Sequence, residues 1–406
     1  MNLNYHPFLK KKFVFLAFFL IILLNACQKE EEPQISQDDF SDQINGQIIE
    51  GSYIVVLKDG TIDLGSLRTS DNYFAKSRFM REAAGNLLQM HRISSERMEQ
   101  VYSSALHGFS ARLDQDMLNQ LRHDERVAYI EPDRIITLGP PAGKGPGGGG
   151  STTTEDIPYG ITRVGGPGDG AGKTAFVIDT GIDLTHPDLN VADYGFNAFS
   201  SGRDGGSLND GNGHGTHVAG TIAAKKDGKG VIGVAYGATV VPVKVLDSRG
   251  SGSYSGVIAG VDYVGTKGKA GDVANMSLGG PVSKALDDAV IAASKEVKFI
   301  IAAGNSSDDA NYYSPARANG SSIFTISAMD SNDRWASFSN FKNPPIDYCA
   351  PGVGIKSTWK GGGYNTISGT SMAAPHAAGV LLLGIAKTSG TVKNDPDGSA
   401  DPIISR

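Results

Sequence analysis

Cysteine is nearly absent: the 406 residues contain two, Cys27 and Cys349, so no disulfide framework holds this chain together and each thiol needs its own explanation. An excess of positive charge is missing too. Lys and Arg number 37 against 43 Asp and Glu, a formal net charge of -6, and without a concentrated basic face nucleic acid is not an expected partner. Nor is there an apolar run long enough to cross a bilayer, since the stretch Phe13 to Leu24 falls short of the ~20 residues a membrane helix needs. What is plentiful is glycine, at 53 residues in a sequence that is 40% hydrophobic. That points to a globular protein with many tight turns, with backbone that ligands approach closely, and with enough length for two or three domains.

The apolar run follows Lys10-Lys11-Lys12, the charge order of a secretory signal, so export is expected. It ends in Leu24-Asn25-Ala26-Cys27, which resembles the lipobox of bacterial lipoproteins. That resemblance implies a signal peptide at 1–26, a lipid on Cys27, and the bacterial membrane as a partner. The acidic stretch Gln28-Lys29-Glu30-Glu31-Glu32 is similar to the export tag of some outer-membrane lipoproteins, making 27–51 a tether and the outer membrane or cell surface the expected location.

Residues 52–138 read as a small α+β domain. A β-branched strand over Ser52 to Leu57 leads to a helix with Phe79, Ala83 and Leu87 on one face; a strand near Leu106 to Leu113, a helix over Met117 to Leu121 and a strand Val127 to Ile130 follow. The order is that of a split β-α-β, ferredoxin-like unit. Glu131-Pro132-Asp133 closes it with no catalytic signature. The Gly-, Pro- and Thr-rich run 139–154 is a flexible linker. Its glycines, like Gly168-Asp169-Gly170-Ala171-Gly172, precede a strand instead of following one, so no dinucleotide-binding loop is expected.

The stretch 155–390 alternates apolar strands, at 174–178, 240–246, 273–276, 298–301 and 323–326, with helices at 217–224, 255–267 and 283–295, the last presenting Ala285, Ala289 and Ala292. This predicts a three-layer α/β domain whose mostly parallel sheet is covered by helices, with ligands beyond the carboxyl ends of the strands. A polar tail, 391–406, is expected after it.

Polar residues fall where such a site should be. Asp179 ends a strand; His214 opens a helix between Gly213 and Gly215; Ser371 lies in Gly369-Thr370-Ser371-Met372-Ala373, a small-residue turn running into a helix, with Pro375 expected in its first turn. A serine so placed has free backbone N–H groups and the positive end of the helix dipole beside it. Asp, His and Ser are the parts needed for nucleophilic acyl transfer. A zinc site at His214 and His217 lacks a third ligand at suitable spacing.

Asp-Thr-Gly at 179–181, His-Gly-Thr-His-Val-Ala-Gly at 214–220 and Gly-Thr-Ser-Met-Ala at 369–373 resemble the signature segments of the subtilisin-like serine peptidases, in that family's order. The resemblance implies a serine endopeptidase with no catalytic cofactor, acting on polypeptide substrates. Asn305, in Ala302-Ala303-Gly304-Asn305, is then the oxyanion donor, worth about 2.7–4 kcal/mol by the measurement made in subtilisin itself. Gly250, Ser251 and Gly252, with Ser277, Leu278 and Gly279, are the two edges that hold an extended substrate. Tyr254 is expected to wall an apolar pocket, and Ser277, Leu278 and Gly279 to line the P1 pocket, with broad, apolar-leaning specificity. A structural Ca²⁺ is implied at Asp188 and Asp227, although three lysines in 225–229 depart from the family's pattern. Residues 52–138 resemble the family's propeptide, an intramolecular inhibitor removed by cleavage in the linker. The rival expectation is a catalytically silent surface binding protein on the same fold.

Overall fold

The computed structural model describes residues 44–139, 154–384 and 386–406, together with Met1. The expected signal, Cys27, most of the tether and nearly all of the linker lie outside these residues.

The N-terminal domain runs β1 (Ile48–Leu57), α1 (Tyr73–Met90), β2 (Met98–Tyr102), β3 (Gly108–Arg112), α2 (Gln115–Arg122) and β4 (Val127–Thr137). Its strands pair antiparallel in the order β4-β1-β3-β2. Both helices begin on a side-chain cap, with Asn72 accepting from the Ala75 N–H and Asp114 from the Met117 N–H. The buried face of α1 is Met80, Ala84, Leu87 and Leu88, while Phe79 is 36% exposed. Thus the expected Phe79/Ala83/Leu87 stripe is rotated by one residue. Strand β2 has no clear sequence signal, because Glu99 and Gln100 interrupt its apolar pattern. Strand β4 runs on through Glu131-Pro132-Asp133 to Thr137 instead of stopping at Ile130.

The C-terminal domain supplies β5 (Thr174–Asp179), α3 (His214–Ala223), β6 (Thr239–Lys244), β7 (Ser251–Ser253), α4 (Tyr254–Lys267), β8 (Val273–Met276), α5 (Lys284–Ala293), β9 (Lys298–Ala302), β10 (Ile323–Met329), β11 (Ile346–Pro351), α6 (Thr370–Leu383), β12 (Lys387–Thr391) and β13 (Pro402–Ser405). Its large sheet has the order β12-β13-β11-β10-β9-β8-β5-β6, parallel except where β12 meets β13. Alternation along β5 sorts the layers. Ala175 and Val177 join the core formed with α3 and α6, whereas Phe176 and Ile178 join the core formed with α4 and α5. The three-layer α/β expectation therefore holds.

Several local expectations shift. On α5 the buried set is Ala285, Leu286, Ala289, Val290 and Ala293, with Ala292 only half-buried. Helix α3 starts at His214, one turn earlier than its apolar pattern indicates. Pro375 sits in the second turn of α6, beyond the turn whose N–H groups have no helical partner. The segment expected to be a polar tail is part of the domain: β12 and β13 extend the sheet, and Ile403 and Ile404 are buried.

Candidate active site

Asp179 ends β5 in register with Lys244 of β6, so both lie at the carboxyl edge of the sheet. The Asp179 carboxylate is fully buried. Its Oδ1 accepts from the Thr180 N–H at 2.7 Å, and His214 Nδ1 lies 2.8 and 2.9 Å from its two oxygens. Nδ1 therefore carries the proton and donates it to Asp179, leaving Nε2 with a free lone pair. Burial of the ring disfavours its charged form, but the Asp179 carboxylate, bonded to it, and then Asp210 outweigh that effect, so the His214 pKa is raised above its usual value. Gly213 makes the helix start possible. Its φ is +115°, and a Cβ there would meet the Trp359 ring at 2.4 Å.

Ser371 is the second residue of α6, which packs against α3. Its Oγ donates to the Ser277 carbonyl at 3.2 Å, and the Ser277 Oγ donates back to the Ser371 carbonyl at 2.8 Å. No hydrogen bond joins Ser371 Oγ to His214 among the described residues; the structure pairs Asp179 with His214 and holds the serine on its neighbour. Asn305 follows β9. Its Oδ1 accepts from both the N–H and the Oγ1 of Thr370, each at 2.9 Å, so Nδ2 is left as a donor. A Cβ placed on Gly369 would lie 3.5 Å from Asn305 Nδ2 and 3.7 Å from the Ser371 nitrogen. The two donors thus border one small space, kept open by glycine.

The expected substrate edges are in use. Residues Ile135–Thr137 of β4 pair antiparallel with β7, with Thr137 opposite Ser251 and Ile136 opposite Gly252, and the Leu138 N–H donates to the Gly250 carbonyl at 2.9 Å. The other edge is reached by a side chain: Asn45 Nδ2 donates to the Gly279 carbonyl at 3.1 Å, while Asn45 Oδ1 accepts from the Thr137 N–H at 3.2 Å. Ser277 and Leu278 are buried. Tyr254 is wholly buried with the N-terminal domain docked, in one apolar cluster with Ile136 of β4, and its hydroxyl donates to the Pro281 carbonyl at 2.6 Å.

Three carboxylates with no catalytic role join the domains. Glu131 accepts from the Ser283 Oγ and the Lys284 N–H at the start of α5. Asp133 accepts from the Ser255 N–H at 3.0 Å and the Ser255 Oγ at 2.5 Å at the start of α4. Conversely, Asp262 of α4 accepts from the N–H groups of Ser103, Ser104 and Ala105. Burial raises the pKa of all three, Asp133 to about 6. Carboxylates at helix N-termini favour docking. The sequence signal for the first two is Glu131-Pro132-Asp133 itself, polar residues in a strand.

At the expected Ca²⁺ position, Asp188 Oδ2 accepts from the Val231 N–H at 3.1 Å and the Tyr364 hydroxyl at 3.2 Å, while its buried Oδ1 has no partner. Burial, with the Asp227 charge adding to it, pushes the Asp188 carboxyl up to about 6. A cation would satisfy that oxygen, so Asp188 fits a hard-ion ligand. Asp227 is exposed and accepts from its own loop, at the Lys229 N–H. Among the described residues no group of three or more His, Cys, Asp or Glu gathers for a metal, so backbone carbonyls would have to complete the set. Cys349 is fully buried, and burial raises its thiol pKa.

Two family models match the chain: the subtilase family over residues 170–392 and the peptidase inhibitor I9 family over residues 52–139. Alkaline serine exoprotease A of Vibrio alginolyticus is 43% identical over 316 residues, covering 74% of this chain and 56% of its own length. The subtilisin-like serine protease AsES of Sarocladium strictum is 41% identical, covering 71% of this chain and 73% of its own length. The extracellular serine proteinase of a Thermus species is 40% identical, covering 83% and 80%. Among solved structures, that of a cold adapted subtilisin-like serine proteinase matches with a TM-score of 0.55 and 40% identity, covering 61% of this chain and 97% of that one.

Proposed function

The chain belongs to the subtilase family, with a peptidase-inhibitor I9 domain ahead of the subtilase domain, and we propose that it is an exported serine endopeptidase made as a self-processing zymogen. The observation that carries this reading is the His214 Nδ1 to Asp179 contact at 2.8 Å, in a domain where the Ser371 and Asn305 nitrogens border one space.

In this reading, Ser371 Oγ leaves its bond to Ser277 and attacks the carbonyl carbon of a peptide stretched along Gly250–Gly252 and Ser277–Gly279. His214 Nε2 takes the serine proton, and Asp179 stabilises the imidazolium. The oxyanion accepts from the Ser371 N–H and Asn305 Nδ2. His214 then protonates the departing amine, leaving an acyl-Ser371, and a water activated in the same way releases the acid. No cofactor takes part. A Ca²⁺ held by Asp188 and nearby backbone carbonyls would serve stability only.

The N-terminal domain is the inhibitor, its last strand occupying the edge that a substrate would use. Cleavage in 139–154 breaks the covalent link. Because Cys27 precedes the inhibitor, a lipid there tethers the zymogen to a bacterial membrane, and processing frees the catalytic domain. The test is labelling with a serine-reactive fluorophosphonate, which is expected in the processed wild type and absent in Ser371→Ala whose linker has been cut by an added protease. Labelling that ignores Ser371 would sink the enzyme reading. Membranes carrying each form should shed soluble catalytic domain from the wild type alone, and equal shedding would overturn self-processing.

A further inference from the structure

We propose that Asp210 is a positioning residue that holds His214 against Asp179; the inference rests on the reading of that pair as catalytic.

Asp210 lies in the loop before α3 and is 2% exposed. A buried carboxylate is costly unless its oxygens are satisfied, and those of Asp210 are. Oδ1 accepts from the Thr180 Oγ1 at 2.9 Å, the Asn212 N–H at 2.9 Å and the Gly213 N–H at 2.8 Å. Oδ2 accepts from the Thr216 N–H at 2.9 Å and the Thr216 Oγ1 at 2.6 Å. These donors belong to the two segments that carry the pair. Thr180 follows Asp179 directly, and Gly213 and Thr216 flank His214 at the start of α3.

Thr180 closes the arrangement from the other side, its Oγ1 accepting from the Gly215 N–H at 2.9 Å. The approach is tight enough that a Cβ on Gly215 would meet the Gly181 carbonyl oxygen at 2.2 Å. The imidazole therefore cannot rotate with its helix turn, nor Asp179 shift with its strand end, without breaking bonds to one carboxylate. Asp210 touches neither the imidazole nor a substrate, so its effect passes through Thr180 and the α3 backbone. It also adds a fixed negative charge near the ring.

The charged and titratable groups around His214 are few. Asp179 faces it from β5, Asp210 from the preceding loop and His217 from the next turn of α3. His217 is buried, which holds its pKa down to about 3 and keeps it neutral. Lys244 at the end of β6 is committed to the Thr180 and Leu246 carbonyls and to Asp204. Removing the Asp210 charge should therefore act on His214 with little interference.

The experiment uses processed enzyme, with active sites counted by fluorophosphonate titration, and follows kcat, KM and the pH dependence of kcat/KM on a peptide substrate. Asp210→Asn is expected to lower kcat about 100-fold, the scale of a misplaced catalytic group, with KM little changed and the acid limb of the profile moved to lower pH. A variant with wild-type kcat and an unmoved acid limb overturns the proposal, as does a loss that follows the fall in Tm alone. Should Asp210→Asn fail to mature, Thr180→Val decides: kcat should drop at least tenfold at unchanged KM, with Thr180→Ser restoring it, and wild-type turnover in Thr180→Val would refute the link. If the wild type shows no Ser371-dependent turnover, the reading of the pair fails and takes this proposal with it.

Discussion

Pro375 decides where the Ser371 carbonyl goes. Lacking an N–H, it cannot donate to the residue four positions back, and that carbonyl instead accepts the Ser277 hydroxyl at 2.8 Å. A helix irregularity thus fastens the candidate nucleophile to one edge of the proposed substrate cleft.

Ser277→Ala should leave the Ser371 carbonyl without its partner. A cost of about 1–3 kcal/mol is expected for the orphaned acceptor, read as a lower midpoint in denaturant at unchanged slope. Adding Pro375→Ala offers that carbonyl a helical N–H, and the double variant should recover part of the loss. No recovery would mean that the two residues are not coupled.

Asn305→Leu removes the Nδ2 donor while keeping the bulk. On the range measured in subtilisin itself, kcat should fall about 10²–10³-fold. KM should change little, because the donor acts on charge that appears only in the transition state. Steady-state kinetics on a peptide substrate reads both.

Retention of the cleaved N-terminal domain should weaken as pH rises. Burial raises Asp133 to about 6 in the complex, whereas separation exposes it and returns it to its ordinary, lower value. The complex therefore binds more protons than its separated parts, so docking is strongest below the ordinary value and is lost as pH climbs through about 6. Release from nicked Ser371-blocked protein, followed by size exclusion, should be about tenfold or more favoured at pH 8 over pH 5. Asp133→Asn should make the dependence shallower, the remainder coming from Glu131 and Asp262, which burial also raises, and an unchanged slope in that variant would refute the assignment.

Asp262→Ala strips the acceptor from the N–H groups of Ser103, Ser104 and Ala105. It should loosen the nicked complex by about 1–3 kcal/mol and leave peptide turnover by processed enzyme unchanged. Equal losses in both measurements would mean that the variant damages the fold and not the interface.

Chelation tests the Asp188 site. If Ca²⁺ binds at about 100 times its Kd, its removal should cost about 2.7 kcal/mol. The midpoint of thermal unfolding would fall for the wild type and stay fixed for Asp188→Asn. Insensitivity of the wild type would reject the ion.

The order of elements and the site segments were readable because both are local. Apolar β5 ending in Asp179, and Gly369-Thr370-Ser371 opening a helix, are contiguous strings. What was not readable depends on partners far along the chain. Glu131 and Asp133 look like surface polar residues until Ser283 and Ser255 meet them. Asp210 is one acidic residue in a polar loop until Thr180 and Thr216 converge on it. The last sheet strand was hidden by its polar surroundings, with Ile403 and Ile404 too short a signal to outweigh Asp395, Asp397 and Asp401.

The inhibitory strand is not a full imitation of a substrate. Ile135 spends its outward-facing N–H and carbonyl on Gln47 and Gly46, and Thr137 spends its N–H on Asn45, whose amide stands between that strand and Gly279. The inhibitor thus grips one rail of the cleft directly and reaches the other only through a side-chain spacer. An ordinary peptide has no spacer and can grip both rails. On the zymogen reading proposed above, an incoming chain would start with the second rail in its favour once the linker is cut, and abundant substrate would itself help to evict the inhibitor domain.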